Sequence, residues 1–445
     1  MSEKMGFWAV FALVTASQIG SGILTLPTAL APYGYYGLFG WLIASTGAIA
    51  LALVFATLCS WYPETGGPHI YVHKAFGDAT AFFAGWTYWV ISWFSTTAVI
   101  IACTSYLTPL IGNQEPYIYC GLQIMILSAI IWLNLKGVKT TGSMEILLSG
   151  ITCLLIVIMP LIALFFFDSA HIITDTSVAN LPLSHTASRT ALLILWGFIG
   201  LESATASAGS VENPTKTIPK AVILGTLAVA TLYLLNTVAI MGLIPGNMLM
   251  FSKAPYAEAA QHIFGSGWHL IVSFMASVGL IGTLNAWILT SSQVALGLAQ
   301  NRFLPQFFMH KNSNNVPTYG LLISCAGIIP LLVLTMNANL AKQITDIIDI
   351  SVTAFLFIYL ICSLGFLKLL MQQKRHNSAI DSTKDSALKT KICFTTLWQW
   401  TFGLTATAFC SWILYNQPIQ MLLIASLFVF SGLPLYYFWY RPTHN

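Results

Sequence analysis

Twelve runs of roughly 20 or more mostly apolar residues, separated by short polar stretches, account for most of this 445-residue chain. They lie near residues 7–31, 37–61, 80–111, 117–135, 145–167, 188–210, 220–244, 267–298, 318–336, 345–370, 393–414 and 418–440. As α-helices, runs of this length match the hydrocarbon thickness of a bilayer. With 57% hydrophobic and only 7% charged residues, the composition excludes a soluble globular protein. The runs are continuous rather than alternating, which excludes a membrane β-barrel. The expectation is an all-α integral membrane protein with twelve transmembrane helices.

Orientation follows from the basic residues. With the N-terminus inside, fifteen of the eighteen Lys and Arg fall on cytoplasmic segments or helix ends; only Arg189, Lys253 and Lys342 fall on the far side. Both termini are therefore expected in the cytoplasm. The net charge of +4 reflects this loop bias and points to no nucleic-acid partner. The first run is too long for a signal peptide, lacks a small-residue cleavage site and carries Gly20-Ser21-Gly22 in its middle. The eight cysteines lack metal-ligand or disulfide spacing, and the nine histidines form no zinc-like cluster. No metal and no cofactor are expected.

Two runs carry breaks. The first contains Ser17-Gln18-Ile19-Gly20-Ser21-Gly22-Ile23, with Pro27 one turn later. The sixth contains Gly197-Phe198-Ile199-Gly200-Leu201-Glu202-Ser203, and Glu202 is the only carboxylate inside the stretch from Leu192 to Gly209. Interrupted backbone is tolerated at membrane depth only where it lines a cavity or is buried in protein. An acid there marks a substrate, ion or proton route by default. The breaks correspond if helices 1–5 and 6–10 are two repeats, and five helices per repeat force the second to be inverted. The expected organisation is a transport core over 1–370, with helices 1–5 at 7–167 and helices 6–10 at 188–370. A cytoplasmic linker over 371–392 and peripheral helices 11 and 12 over 393–445 follow. The polar–apolar stretch from His69 to Gly77 is expected along the membrane interface.

Unwound helices expose N–H and C=O groups suited to the two charged ends of an α-amino acid. Ser21 and Gly22 offer donors to a carboxylate, and the carbonyls around Trp196 and Ile199 suit an ammonium. The plainer alternative is that these glycines allow close helix packing. Trp196 and Trp287 lie inside their runs, away from the interfacial belts, and a tryptophan face can hold an aliphatic stem or a cation. Ordinary packing is the alternative for both. Glu202 reads as a protonated hydrogen-bonding acid, as an ionised group that attracts a cation or links binding to proton movement, or as a neutral acid bonded to a neighbouring carbonyl. Asp346 reads as a solvated helix-start charge, whereas Asp349 is deeper and could face a cation-binding pocket.

The run from Ser17 to Pro27 resembles the first helix of amino acid–polyamine–organocation transporters. Leu195-Trp196-Gly197-Phe198-Ile199-Gly200-Leu201-Glu202-Ser203 resembles the basic amino acid/polyamine antiporter branch, which includes arginine/agmatine and putrescine/ornithine exchangers. So does Val211-Glu212-Asn213-Pro214-Thr215-Lys216-Thr217-Ile218-Pro219. The likeness covers about residues 5–370. It implies a LeuT-like fold, a 5+5 inverted repeat with discontinuous helices 1 and 6, and sodium-independent exchange. It gives the substrate site to Ile19, Gly20, Ser21, Gly22, Trp196, Ile199 and Trp287, with Ser21 and Gly22 on the carboxylate and Trp287 on the stem. Glu202 becomes the proton-linked acid, and Tyr88 and Trp196 the gating aromatics. Helix 3 brings Ser92 and Thr96 to the distal pocket, where the arginine exchanger has an asparagine at the Thr96 position. Asp349 falls where that exchanger has a serine. It fits a lysine- or ornithine-like ammonium, or else sits at the external mouth.

The expected function is a bacterial-type inner-membrane transporter that exchanges a basic amino acid for its amine or a related amino acid. A proton-coupled uptake permease for neutral or broad-range amino acids is the alternative. The expected partners are an amino acid or amine, protons and the lipid bilayer, with a homodimer an open option for assembly. A channel would need polar rings along a pore, and none is evident. An enzyme would need a catalytic pair at one depth, and Glu202 has no His or Asp companion in its run.

Overall fold

The apolar runs that hold Gly20 and Gly200 divide, whereas others, such as Tyr35–Trp61 and Trp268–Gln300, form single helices in spite of their glycines. The computed structural model describes residues 4–136, 138–206, 208–336, 340–380 and 386–440. The first run splits into α1 (Phe7–Gln18) and α2 (Ser21–Leu30), followed by α3 (Tyr35–Trp61). A short α4 (Pro68–Phe76) leads into α5 (Asp78–Ile111), α6 (Pro116–Leu135) and α7 (Val138–Ala163). The connection to the sixth run carries the single turn α8 (Thr176–Ala179). That run begins as α9 (Leu183–Leu195) and resumes as α10 (Ser203–Ala206). Then come α11 (Pro214–Leu243), the single turn α12 (Gly246–Leu249), α13 (Pro255–Phe264) and α14 (Trp268–Gln300). The chain ends with α15 (Thr318–Leu334), α16 (Leu340–Ile380), α17 (Ser386–Tyr415) and α18 (Ile419–Phe430).

Among the described residues no strand occurs beyond two isolated bridges, and eight helices are long and apolar enough to cross a membrane. They include Phe7–Tyr33, Asp78–Ile111, Trp268–Gln300 and Ile344–Gln373. Gly150–Phe166 and Thr318–Leu334 are apolar but shorter. The centre is built from α5, which packs along α14 and α16, while α1 lies against α11 and α11 against α3. Small residues permit the close approach that helices need when lipid supplies no hydrophobic drive between them. A Cβ on Gly279 would collide with Thr152 Oγ1.

Two regions gain detail beyond the sequence reading. The stretch around His69 forms α4, which packs against α5 and α16 with His69, Ile70, Tyr71 and Val72 buried. Gly67 and Gly77 at its two ends let the chain turn sharply enough to bring it inside. In the tract expected as a linker, α16 continues to Ile380 and α17 begins at Ser386; residues 381–385 lie outside the described residues.

Candidate functional site

The two breaks face each other. α1 ends at Gln18, Ile19 turns away with ψ at 83°, and Gly20 at the head of α2 has no side chain with which to cap it. The first N–H groups of a helix have no intrahelical partner, so the start of α2 presents donors and the positive end of its dipole. On the other chain segment, Trp196–Phe198 form one 3-10 turn, Ile199 is extended, and Gly200 takes φ +103°. A Cβ at Gly200 would lie 2.9 Å from the Ser17 carbonyl oxygen, so positive φ and close approach both require glycine there. A Cβ at Gly22 would meet Tyr233 Oη at 2.9 Å, Trp196 Cδ1 at 3.1 Å and Gly197 Cα at 3.3 Å.

Between the breaks lies a small cavity of about 20 Å³. Its α1–α2 wall is Ser17, Gln18, Gly20, Ser21 and Gly22; Trp196 and Ile199 form the opposite wall, and Val99, Thr283 and Trp287 close it. Trp196 Nε1 donates to Ser21 Oγ at 3.2 Å, which ties the two broken helices together across the cavity. Thr283 Oγ1 donates to the Ile19 carbonyl at 3.0 Å, and Tyr233 Oη to the Gln18 carbonyl at 2.9 Å. Ile19 itself is buried and reaches the site through its backbone.

Glu202 is fully buried, and each of its carboxylate oxygens accepts one tyrosine hydroxyl. Tyr88 Oη of α5 donates to Oε1 at 2.7 Å, and Tyr359 Oη of α16 to Oε2 at 2.8 Å. The acid therefore gains two donors from two different long helices, which offsets much of the cost of placing it at this depth. Phe355 packs edge-on to Tyr88 and against Tyr359, and its ring also meets Trp287 at 6.3 Å. An unbroken run of aromatic contacts thus joins the cavity wall to the carboxylate.

Three expected site residues stand apart from the cavity. Ser92 Oγ pairs with Ser291 Oγ at 2.8 Å in a hydroxyl cluster completed by Ser324 and Trp89, which joins α5, α14 and α15. Thr96 Oγ1 donates back to the Ser92 carbonyl at 2.7 Å. Asp349 offers no open carboxylate, because Arg189 of α9 binds it in bidentate fashion at 2.8 and 2.6 Å. The sequence reading placed Arg189 only as an outer basic residue and did not pair it.

Gln18, Thr283 and Tyr359 were not singled out as site residues. Thr283 precedes Trp287 by four residues, the helical spacing that puts two side chains on one face, and that signal was available. Tyr359 has no local motif. Only the tertiary packing of α16 against α5 brings it to Glu202.

A model of the amino acid permease family matches residues 5–436. The chain belongs to the amino acid permease family. Among curated proteins, this permease is 30% identical over 438 residues to the putrescine transporter PotE of Haemophilus influenzae, covering 98% of this chain and 97% of that one. It is 29% identical over 350 residues to the cadaverine/lysine antiporter of Escherichia coli, covering 76% and 77%. The putrescine transporter PotE of Escherichia coli is 26% identical over 439 residues, covering 98% and 96%. These relatives belong to the basic amino acid/polyamine antiporter branch that the stretch around Glu202 resembles. The permease is a multi-pass membrane protein.

Proposed function

We propose that this permease exchanges a basic amino acid for its amine, or for a related amino acid, by alternating access across the inner membrane. The observation that carries the reading is the cavity between the two helix breaks, with the start of α2 on one wall and Trp196 and Ile199 on the other. The relatives named for putrescine transport and for cadaverine/lysine antiport support an amine and an amino acid as the two cargoes. In this reading the chain has twelve spans in a LeuT-like 5+5 inverted repeat, with both termini cytoplasmic. Ser21 and Gly22 hold the carboxylate, the carbonyls of Trp196 and Ile199 hold the α-ammonium, and Trp287 stacks on the stem. Trp196 closes the site through its bond to Ser21. Tyr88 links gating to Glu202, which senses or carries the proton.

Proteoliposome uptake of radiolabelled lysine, arginine and ornithine, with and without unlabelled amino acid or amine inside, tests the reading. Uptake that requires internal substrate supports exchange. Strong uptake into empty vesicles driven by a pH gradient would instead establish a proton-coupled uptake permease.

A further inference from the structure

Gln18 ends α1 at the edge of the break, is 2% exposed and lines the cavity. Its Nε2 donates to the Val14 carbonyl at 3.2 Å, with Thr226 Oγ1 at 3.5 Å from the same nitrogen. A backbone carbonyl only accepts, so the amide must turn its nitrogen toward Val14 and its oxygen away. That oxygen, Oε1, is buried and has no donor among the described residues. Its neighbours on the wall are engaged. Ser17 Oγ donates to the Leu13 carbonyl, and Ser21 Oγ accepts from Trp196. The Gln18 and Ile19 carbonyls already accept hydroxyls from Tyr233 and Thr283.

A buried amide oxygen without a donor is unfavourable, and the donor that gains most from it is a charged one. An ammonium carries three N–H donors and no acceptor. The place also suits a cation, because Gln18 sits at the C-terminal, negative end of the α1 dipole. A carboxylate would be repelled there and drawn instead to the start of α2.

We infer that Gln18 Oε1 accepts an N–H from the ammonium of the bound cargo, making Gln18 a specificity-determining residue for substrates that carry N–H donors. An amino acid and its decarboxylated amine share such an ammonium, so one acceptor serves both directions of exchange. The inference rests on the exchanger reading and names the group that holds its common feature.

The test uses the full chain in proteoliposomes, with radiolabelled lysine outside and cadaverine or lysine inside. Gln18→Met keeps the side-chain length and removes the acceptor. The expected result is a half-saturation concentration for lysine and cadaverine raised about tenfold, with the maximal rate retained. Competition by cadaverine and by its bis-quaternary analogue, which has the same charges and no N–H, provides the second measurement. In the wild type the analogue competes at least about tenfold less well, and in Gln18→Met this gap narrows. An unchanged half-saturation in the variant, an undiminished gap, or equal competition in the wild type would overturn the role of Gln18 and leave exchange standing. If the variant does not fold, the wild-type comparison still decides: equal competition overturns the role. If the wild type exchanges neither lysine nor cadaverine, the exchanger reading fails and the role of Gln18 fails with it.

Discussion

Arg189 holds both oxygens of Asp349, with Nη1 and Nη2 at 2.8 and 2.6 Å, and so fastens α9 to α16. Arg189 lies seven residues before Trp196, about two helical turns or ~10 Å along the axis. Asp349 lies six residues before Phe355. The ion pair therefore spans the two helices that carry the cavity tryptophan and the aromatic contact to Glu202.

Breaking this pair from one side is expected to cost far more than removing it whole. Arg189→Leu leaves a carboxylate whose side chain is 8% exposed without its partner, and about 3 kcal/mol of stability should be lost. The double variant Arg189→Leu with Asp349→Leu should recover most of that loss. Thermal unfolding of purified protein in detergent measures both, and equal losses in the single and double variants would contradict the expectation.

Tyr88→Phe and Tyr359→Phe each remove one of the two donors to Glu202. Each should destabilise by about 1–2 kcal/mol, and the pair should be non-additive because both act on one carboxylate. Glu202→Gln should retain binding but lose the pH dependence of exchange. A pH–rate profile of counterflow for wild type and variant reads this directly; an unchanged profile would remove Glu202 from proton linkage.

Gly200→Ala is expected to fail in both stability and transport. Its φ of +103° and the Ser17 carbonyl 2.9 Å from a would-be Cβ leave a methyl no room. The strain and displacement should cost about 1–3 kcal/mol. Gly121→Ala, where a Cβ meets nothing within 4 Å, is the control and should behave as wild type.

His69 supplies a pH prediction away from the spans. Burial pushes its imidazole down to about 3, with the Gly66 backbone opposing and nearby His73 adding to the effect. Asn301 Nδ2 is pinned by the Gly297 carbonyl and faces His69 Nε2 at 3.2 Å, which makes that ring nitrogen an acceptor and the ring neutral. The unfolded chain takes up this proton near pH 6.5 while the folded one resists it until about 3. This contribution to stability is thus complete above pH 6.5 and is lost progressively as pH falls toward 3. Melting temperatures at pH 7.5, 6 and 5 should fall less steeply in His69→Gln than in the wild type.

The breaks were legible because glycine is a local signal: Gly20 and Gly200 mark the interruptions in one dimension as plainly as in three. Glu202 was legible because an acid in an apolar run has few explanations. Its two tyrosine donors were not, since Tyr88 and Tyr359 lie 114 and 157 residues away in sequence and carry no pattern that pairs them with it. The partner of Asp349 was hidden for the same reason. The depth of Asp349 could be estimated from hydropathy, but its partner is set by the rotation of α9 against α16, which no periodicity encodes. The burial of His69 and the rest of α4 was not legible, because alternation describes a segment's own faces and not what packs over them.

The contact at Gly22 has a consequence for descent. Because a tyrosine hydroxyl, an indole carbon and a glycine backbone fill the space where a side chain would stand, neither Gly22 nor Gly197 can gain a side chain unless Trp196 or Tyr233 gives way. A lineage that enlarges one must shrink another in the same step or pass through a form whose two halves no longer meet. Changes of cargo within such a lineage are more accessible at positions like Gln18 and Trp287, which border the hollow without holding it shut.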